Sequence, residues 1–332
     1  MIAFRRGRRM LRAMPGALLA LGLACAAGQA LGADTFPDHA IKLIVPVPPA
    51  GAADTSARAI GQFISARLGQ QIIIDNRPGA GTTLGLRMAA HAPADGYTLT
   101  LVAVSGIAIA TVSYNDLPDM RKDFVTVAGI VDAPHMLVAS AALGVHSVPE
   151  LVGLLAKNPN RYNYASQGTG SLSHLESAVF VDARHLQVQH IPYAGSSAAM
   201  PGLISGTTAM MMDSVASVLP QARAGKLIVL GTTARRRVPQ FPDAPTMGEL
   251  GVPGLVADNP FVILAPAGTP PERVKVLTDA LAAALADPQV DKTLADAGLV
   301  PHFVAPADFA KIFDQEYGLW PGVARKLTGP AS

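Results

Sequence analysis

The sequence predicts an α/β protein made of two lobes, and three observations support this class. Short apolar runs alternate along the chain with segments whose apolar residues recur at helical spacing. The connections between them are short, which favours right-handed βαβ units and a largely parallel sheet. The proline-rich stretches at 239–245 and 253–271 lack the composition of a disordered linker. We therefore expect two lobes joined by crossing strands, with crossings near Val131–His135 and Leu230–Ala234.

The first 33 residues have the order of a secretory signal peptide. A basic segment is followed by the apolar run 17–24 and then by small residues, and the apolar run is too short to span a membrane, which takes about 20 residues. We expect cleavage after Ala33, with Ala30 as the alternative, and export to the periplasm. The basic residues are Arg5, Arg6, Arg8, Arg9 and Arg12.

Removal of this segment changes what the charge and the cysteine count imply. The remaining chain has 21 basic and 24 acidic residues, so its formal net charge is −3, which gives no indication of nucleic-acid binding. Cys25 is the only cysteine and leaves with the signal peptide, unless it is a lipid anchor, for which Gly22 is a poor preceding residue. The exported chain then has no disulfide, no cysteine-ligated metal and no thiol nucleophile.

The first half of the exported chain reads as two βαβ units. A buried strand at Ile41–Val45 stops at Pro46, and the following helix shows apolar residues at helical spacing, with Asp54, Thr55 or Ser56 as its cap. Two more strands flank a second helix. The predicted elements are a helix at Asp54–Leu68, a strand at Gln71–Asp75, a helix near Thr82–His91 and a strand at Tyr97–Val104.

The second half repeats the scheme and ends in helices. Ser173 with Glu176 fits a capping box for one helix, and Thr269 with Glu272 fits one for another, with proline at its first position. The predicted elements are strands at Tyr162–Ala165, Val188–Tyr193, Thr207–Met212 and Leu227–Leu230, and helices after Gly170, at Ser197–Ile204, at Ser214–Arg223 and after Pro270. We assign 34–131 and 232–332 to a discontinuous lobe I and 132–231 to lobe II.

Six turns rich in glycine, serine and threonine follow predicted strands. In open α/β sheets, ligands bind beyond the carboxyl ends of the strands, where helix N-termini offer backbone N–H groups to an anion. Each turn taken alone also fits the simpler role of a backbone turn, but six of them favour a binding site. They are Pro46–Ser56, Asn76–Thr83, Ser105–Gly106, Ser166–Ser171, Tyr193–Ser197 and Asp213–Ser214.

Other site chemistries fit the sequence less well. The glycine-rich segments at 79–84 and 168–173 both lack the third glycine of a dinucleotide fingerprint. Ser171 and Ser173 lie near His174, but neither occupies the Gly-x-Ser-x-Gly elbow of a hydrolase. The histidines at 174, 185 and 190 do not have metal-site spacing. Asp213 directly follows an apolar strand and either caps the next helix or faces a cleft, where it would hold loop donors or a ligand's ammonium or hydroxyl group. We expect no catalytic residue, no metal and no cofactor.

Several motifs together resemble the Bug/TctC family, the extracytoplasmic receptors of tripartite tricarboxylate transporters. They occur in the family's order over nearly the whole chain after Phe36. The matching segments are Ile41–Pro46 with Pro48–Gly51 and Asp54–Thr55, Asp75–Gly81, Ala94–Leu99, Asn163–Ser166 with Gly168, Ser173–Leu175, Val188–Tyr193 with Gly195, Pro242–Thr246 and Ala265–Pro270.

The resemblance implies a type II periplasmic-binding-protein fold, in which two α/β lobes close on a ligand held in the cleft between them. It implies a small organic carboxylate as ligand, the membrane components of a transporter as partner, and a monomeric protein that is not an enzyme. Carried over by position, the ligand contacts are Val47, Pro48, Ala50, Gly51, Ala52, Asp54, Thr55, Thr82 and Thr83, with Ser105, and in the second lobe Ser166, Gly168, Thr169, Ser171, Tyr193, Gly195 and Asp213.

The first loop departs from the family pattern. Val47 stands where the family usually has an aromatic residue, and alanines at 50, 52 and 53 replace part of a glycine run. We expect this loop to favour a larger or aromatic monocarboxylate over a compact dicarboxylate such as succinate. Two alternative functions stay open from the sequence: a secreted α/β hydrolase, and a sensory partner that delivers its ligand to a membrane receptor.

Overall fold

The computed structural model describes Ile2, residues 35–49 and residues 51–328. The predicted signal peptide, its cleavage site and Ala50 lie outside these residues. The described strands form a six-stranded sheet in the order β11-β4-β10-β3-β1-β2 and a five-stranded sheet in the order β7-β6-β8-β5-β9. The strands are β1 Ile41–Val45, β2 Ile72–Asn76, β3 Thr98–Ala103, β4 Phe124–Asp132, β5 His135–Ser140, β6 Asn163–Ser166, β7 Gln189–Pro192, β8 Met210–Ser214, β9 Leu227–Thr232, β10 Pro260–Pro266 and β11 Val300–Val304.

Ten α-helices occur in the described part of the chain. Three single turns of 3₁₀-helix, at Ala80–Thr82, Ala141–Leu143 and Pro253–Leu255, accompany them. The helices are α1 Ala52–Leu68, α2 Thr83–Ala90, α3 Val104–Ala110, α4 Val148–Ala156, α5 Leu172–Ala183, α6 Ser196–Ser205, α7 Val215–Arg223, α8 Pro271–Leu285, α9 Pro288–Asp296 and α10 Pro306–Thr328.

The βαβ units predicted in the first and second halves of the exported chain are confirmed. β1 pairs in parallel with β2 and with β3, and β6 pairs in parallel with β7 and with β8. Helix α1 buries Ala57, Ile60 and Ile64, which lie on one face at helical spacing, and it ends at Gly69 in the left-handed conformation. Local apolar patterning therefore determines these units.

The prediction of a largely parallel sheet is wrong, because both sheets are mixed. β10 lies between β3 and β4 and is antiparallel to each of them, and β11 is antiparallel to β4. In the other sheet β5 runs antiparallel to β8 and to β9. β5 and β10 each follow a change of sheet, where no crossover helix is required, whereas β11 follows β10 in the same sheet through α8 and α9.

The chain passes between the sheets at two places. β4 belongs to the six-stranded sheet and ends at Asp132, and β5 begins the five-stranded sheet at His135. The return runs from the end of β9 at Thr232 to the start of β10 at Pro260. The two connections touch each other: the Ala133 N–H donates to Asn259 O at 3.1 Å, and Asn259 Nδ2 donates to Ala133 O at 3.1 Å.

Three helix caps differ from the sequence prediction. Gly51, and not Asp54, Thr55 or Ser56, is the N-cap of α1, which begins at Ala52. Ser171 caps α5, so the predicted capping box of Ser173 with Glu176 does not form. Helix α8 begins with proline as predicted, but the Thr269 hydroxyl donates to Pro266 O, and α8 has no side-chain cap.

The long last helix joins the two sheets. Trp320 and Ala324 of α10 pack in one apolar cluster with Ala108 and Ile109 of α3, which follows β3, and with residues of α5, which follows β6. The α5 members are Leu172 and Leu175. Residues from Pro37 onward thus form one compact unit. In the part of the chain that the structure describes, no helix is long and apolar enough to cross a membrane.

Candidate functional site

The turns singled out in the sequence lie at the carboxyl ends of parallel strands. β1, β2 and β3 lead into the starts of α1, α2 and α3, and β6, β7 and β8 lead into the starts of α5, α6 and α7. In an open α/β sheet this is the edge at which ligands bind. The apolar cluster around Trp320 includes α3 from the first series and α5 from the second, so these two series approach each other at α10.

The loop before α1 offers backbone donors. Gly51 is the N-cap with an extended backbone (φ −92°, ψ 176°), and no side chain caps the helix. Val47, Ala52 and Thr55 are half-buried, and Pro48 is exposed. The cap residue Gly51 therefore supplies no side-chain acceptor to the first turn of α1, which is compatible with an anion site.

Asp54 shapes this loop rather than pointing a free carboxylate at a ligand. It is buried, and it accepts hydrogen bonds from Arg58 Nε and from Asn76 Nδ2, both at 3.0 Å. Asn76 Nδ2 also donates to Val47 O at 3.2 Å. The carboxylate of Asp54 therefore links the loop to the end of β2. Asp54 was predicted as a ligand contact, but its hydrogen bonds to Arg58 and Asn76 show that its carboxylate stabilises the loop before α1.

The turn before α2 has an unusual backbone. Gly79, Ala80, Gly81 and Thr82 all have positive φ, and for Thr82 the value is 78°, which a β-branched residue rarely adopts. The ring of Tyr114 packs directly over Gly81, so close that a Cβ atom added to Gly81 would clash with it. Such strain persists only where the surroundings hold it, and it is concentrated at functional sites.

Two threonine hydroxyls at this turn have no partner. The Oγ1 atoms of Thr82 and Thr83 are buried, and neither has a hydrogen-bond partner among the described residues. Thr83 is the first residue of α2 and is 1% exposed. A buried hydroxyl without a partner costs about 1–3 kcal/mol, so two of them side by side call for a group that would accept their hydrogens.

Ser105 is already engaged. Its hydroxyl donates to Glu316 Oε2 at 2.5 Å, and Trp320 Nε1 donates to the same oxygen at 2.8 Å. Burial raises the pKa of Glu316, although these two hydrogen bonds oppose the shift. Ser105 therefore links α3 to α10 through this hydrogen bond. Ser105 was predicted as a ligand contact, but its hydroxyl hydrogen is already donated to Glu316.

In the five-stranded sheet, the turn Ser166–Ser171 leads into α5. The Ser171 hydroxyl donates to Gly168 O at 2.7 Å and accepts the His174 N–H at 3.2 Å, so it is fully used in capping. Thr169 is exposed at the tip of the turn, and Gly168 has φ 133°. The Ser171 hydroxyl hydrogen is therefore already donated within the turn, whereas the Thr169 side chain is exposed.

The turn Tyr193–Ser197, which follows β7, contacts the turn Ser166–Ser171 through its main chain. The Tyr193 N–H donates to Ser166 O at 3.2 Å, and the Gly195 N–H donates to Gln167 O at 3.1 Å. The Tyr193 hydroxyl lies over Gly202 in α6, so the phenol packs against that helix. Gly195, with φ 93°, is the N-cap of α6 and no side chain caps this helix.

Asp213 forms hydrogen bonds to both the turn Ser166–Ser171 and the turn Tyr193–Ser197. Its Oδ1 accepts Gln167 Nε2 at 2.8 Å, Ser196 Oγ at 2.8 Å and the Ser214 N–H at 2.7 Å. Its Oδ2 is buried and has no partner among the described residues. Burial raises the pKa of Asp213, and the neighbouring His135 and the hydrogen bonds to Oδ1 oppose the shift. Of the two roles left open by the sequence, the structure supports the one in which Asp213 holds the loops.

A buried pair beside Asp213 was not recognised from the sequence. His135 Nδ1 lies 2.5 Å from Glu176 Oε2, and both side chains are almost fully buried. Burial alone would lower the pKa of His135, but the Glu176 carboxylate outweighs it and the net pKa is raised. One signal was available: Glu176 comes four residues after Leu172, on the apolar stripe of α5.

The described residues do not assemble a hydrolytic triad or a metal site. Ser166 Oγ lies 2.6 Å from His190 Nε2, but Ser166 is fully buried, and among the described residues no carboxylate contacts the other ring nitrogen. In the same residues, no three histidine or carboxylate side chains converge as metal ligands. A cavity of about 460 Å³ lies elsewhere, between β9, the segment 240–245 and the start of α4, and none of the predicted site residues lines it.

A family model described as the tripartite tricarboxylate transporter family receptor, TctC, matches residues 56–327. The chain belongs to the TctC family. It is 35% identical over 316 residues to a UPF0065 protein of Pseudomonas sp. strain P51, which covers 95% of this chain and 93% of that protein. It is 33% identical over 298 residues to BugT of Bordetella pertussis, covering 89% and 91% of the two chains.

Solved structures of TctC-like proteins share the fold. A Rhodopseudomonas palustris protein solved with adipate superposes with a TM-score of 0.82 at 30% identity, over 89% of this chain and 99% of that chain. MatC from the same organism, solved with bound malate, gives a TM-score of 0.77 at 30% identity, over 87% and 100%. The resemblance and the two-lobed periplasmic-binding-protein fold inferred from the sequence are therefore confirmed, and the TctC chain is a solute-binding receptor.

Proposed function

We propose that this chain is a periplasmic receptor that captures a small organic carboxylate between two closing lobes and presents it to the membrane components of a tripartite tricarboxylate-type transporter. It binds its ligand without altering it. Support for the absence of catalysis comes from the site, where Ser105 and Ser171 are committed to structural hydrogen bonds and Ser166 is buried.

The lobes of this proposal follow the two sheets. Lobe I comprises 34–131 and 232–332 and carries the six-stranded sheet; lobe II comprises 132–231 and carries the five-stranded sheet. The assignment is supported by the sheet membership of β4 and β5 on one connection and of β9 and β10 on the other. Two connections that hydrogen-bond to each other, at Ala133 and Asn259, are the expected anatomy of a hinge.

The observation that carries the proposal is the pair of unpartnered hydroxyls of Thr82 and Thr83 at the start of α2. A carboxylate accepts hydrogen bonds from hydroxyls and from helix N-terminal N–H groups, and it gains from the positive end of the helix dipole. Such a site holds an anion with neutral donors. In lobe II the corresponding donor is Thr169 of the turn Ser166–Ser171, because the N–H groups of Gly168, Gly170 and Ser171 already donate within the protein.

The ligand class is supported by the relatives. The two R. palustris proteins described above were solved with adipate and with malate, and both molecules are small dicarboxylates. The proposal extends only the shared chemical group, a carboxylate, to this chain.

The test is a ligand panel followed by a matched pair of variants. Thermal shift of the exported chain with malate, succinate, adipate, citrate and benzoate identifies a binder, and calorimetry gives its Kd. Thr83→Val should weaken that binder about tenfold or more, because a hydrogen bond to a charged group is worth about 1.5–3 kcal/mol. It should leave the ligand-free protein as stable as before or more stable, since it removes a buried hydroxyl that has no partner.

Thr100→Val is the control. The Thr100 hydroxyl is equally buried but donates to Ile44 O at 3.1 Å, so this variant should lose stability and keep its affinity. Equal affinities of wild type and Thr83→Val would place the carboxylate elsewhere. Mass spectrometry of the ligand after overnight incubation tests the absence of turnover, and N-terminal sequencing of the exported protein tests cleavage after Ala33 or Ala30.

A further inference from the structure

Three rings are stacked behind the turn Ser166–Ser171. Tyr164 of β6 and His190 of β7 are partners in the parallel register, and their ring centroids lie 5.0 Å apart. His174 of α5 stacks on His190 with centroids 4.0 Å apart and an interplanar angle of 16°. The stack therefore connects two strands and a helix directly under the turn.

Each imidazole also makes a hydrogen bond to the turn. His174 Nδ1 accepts the Gly170 N–H at 3.2 Å, and His190 Nε2 lies 2.6 Å from Ser166 Oγ. The same Ser166 Oγ accepts the Gly168 N–H at 3.1 Å. The two rings thus fix the start of the turn through Ser166 and its end through Gly170.

The hydrogen bond at Gly170 determines the protonation state of His174. A ring nitrogen that accepts an N–H cannot itself carry hydrogen, so His174 is neutral, with its hydrogen on Nε2. A doubly protonated His174 would present a hydrogen to the Gly170 N–H and would lose this contact. A cation on each ring would also place two like charges 4.0 Å apart.

We propose that His174 and His190 are positioning residues for ligand binding, whose neutral, stacked rings hold the turn Ser166–Ser171 in the conformation that receives the carboxylate. This inference rests on the proposed function, because it takes that turn to be the lobe II contact. Neither ring needs to touch the ligand. Their effect is to hold the Gly168 and Gly170 amides, which donate to Ser166 Oγ and His174 Nδ1, and so to fix where Thr169 lies between them.

The electrostatic environment supports the neutral state. Burial, with a smaller contribution from His190, lowers the pKa of His174 to about 4, and burial also lowers the pKa of His190. The third ring, Tyr164, has its pKa raised to about 12 by burial and stays uncharged. The nearest carboxylate to the turn is Asp213 of β8, which is bound to Gln167 through Oδ1.

The proposal predicts that acid weakens binding. His174 has an ordinary pKa of 6.5 and a folded value of about 4, so it gains its proton in the folded protein only as the pH approaches 4. The affinity for the ionised form of adipate, or of whichever panel acid gives the largest thermal shift, should be constant from pH 8 to 6 and should fall as the pH drops from 5 to 4. The affinity is calculated for the ionised ligand because carboxyl groups themselves titrate near pH 4. Near-UV circular dichroism at each pH reports whether the fold is intact.

Two substitutions separate positioning from simple packing. Asn at 174 keeps an acceptor oxygen near the place of Nδ1, whereas Leu fills similar space without one. His174→Leu should weaken binding of that acid about tenfold or more at pH 7.5, and His174→Asn should bind within about threefold of wild type. The Asn variant should keep only the acid dependence that comes from protonation of the ligand itself, because carboxyl groups also titrate near pH 4. His146→Leu, at an exposed histidine away from the turn, is the control.

Hydrogen exchange gives a readout that needs no ligand. The Gly170 amide should exchange faster in the ligand-free His174→Leu variant than in wild type, and His174→Asn should restore its protection. Unchanged exchange, equal affinity of the Leu variant, or equal loss in the Asn and Leu variants would overturn the positioning role. Failure of every panel acid to bind wild type, with Gly170 exchange behaving as expected, would instead count against the proposed function.

Discussion

His135 and Glu176 form a hydrogen-bonded pair in a fully buried setting, with Nδ1 and Oε2 2.5 Å apart. The pair joins the first residue of β5, immediately after the passage between sheets, to the middle of α5. His135 also receives hydrogen bonds at its carbonyl oxygen from the Thr233 N–H and from Thr232 Oγ1, at the other passage. Both connections between the sheets are therefore linked through one histidine.

Removal of either partner of this pair should be strongly destabilising. His135→Leu and Glu176→Met should each lower the free energy of unfolding by about 3–5 kcal/mol, because each leaves a buried polar group unpaired. The double variant should lose clearly less than the sum of the two losses, since neither group is then left alone. Urea denaturation at pH 7 measures all four proteins, and strictly additive losses would show that the pair is not coupled.

The same pair gives a pH dependence at the alkaline side. The folded-state pKa of His135 is raised above its ordinary value of 6.5, so its contribution to stability is complete below that pH and is lost as the pH rises through the folded value. Wild type should lose stability on this side relative to Glu176→Met, which lacks the pairing carboxylate. Thermal unfolding from pH 6 to 10 makes the comparison, and parallel curves for the two proteins would refute it.

Gly81→Ala should destabilise the turn before α2. The backbone there has φ 57°, and an added Cβ would collide with the Tyr114 ring. We expect a loss of about 1–3 kcal/mol, reduced when Tyr114→Ala is added. Gly153→Ala is the control, since Gly153 lies inside α4 with nothing within 4 Å of an added Cβ, and it should gain about 0.5–1 kcal/mol. A Gly81→Ala variant as stable as wild type would contradict the described conformation.

The single tryptophan should report ligand closure. Trp320 is 1% exposed and packs against helices that follow strands of both sheets, so a change in their separation alters its surroundings. Its emission should shift on addition of a binding acid, and Glu316→Gln, which keeps an acceptor for Ser105 and Trp320, should behave like wild type. Glu316→Leu should cost about 2 kcal/mol or more, because two buried donors lose their acceptor. Emission unchanged at saturating ligand, as established by calorimetry, would argue against closure at α10.

Val47 should influence the size of the preferred acid. It is half-buried at the first loop, where the family usually has an aromatic residue, and its side chain is smaller than an aromatic one. Wild type should respond to benzoate-type acids in the thermal-shift panel more than to succinate, and Val47→Phe should move the preference towards smaller acids. Tight succinate binding by wild type without any response to aromatic acids would show that this loop does not set ligand size.

The parts of the fold that follow from local pattern were predictable. Ile41–Val45 and Ile72–Ile74 are continuous apolar runs, and the helix between them has a clear apolar face, so their type and pairing follow. The strand β10 was not predicted because prolines at both of its ends made the segment 253–271 resemble an irregular loop. It lies between β3 and β4, which end at least 128 residues earlier in the chain, and such a long-range pairing cannot be read from local residue spacing.

The site shows the same division. Glycine-rich turns after strands are visible in the sequence, and they lie where the strands were expected to end. Whether a hydroxyl in such a turn is free or used depends on a distant partner, as Ser105 with Glu316 illustrates. The histidine stack and the Glu176 pair likewise depend on residues from other elements, so composition and spacing could not reveal them.

The position of β10 has a consequence for how the protein folds during its synthesis. This strand lies in the interior of the six-stranded sheet, yet it is translated long after β1, β3 and β4. Until residue 266 is available, β3 and β4 lack the neighbour that lies between them, and most contacts of this sheet span a long stretch of sequence. High contact order slows folding, and this sheet cannot be completed before β10 has been synthesised. An export machinery that threads unfolded chains would therefore receive the polypeptide before its first sheet could close.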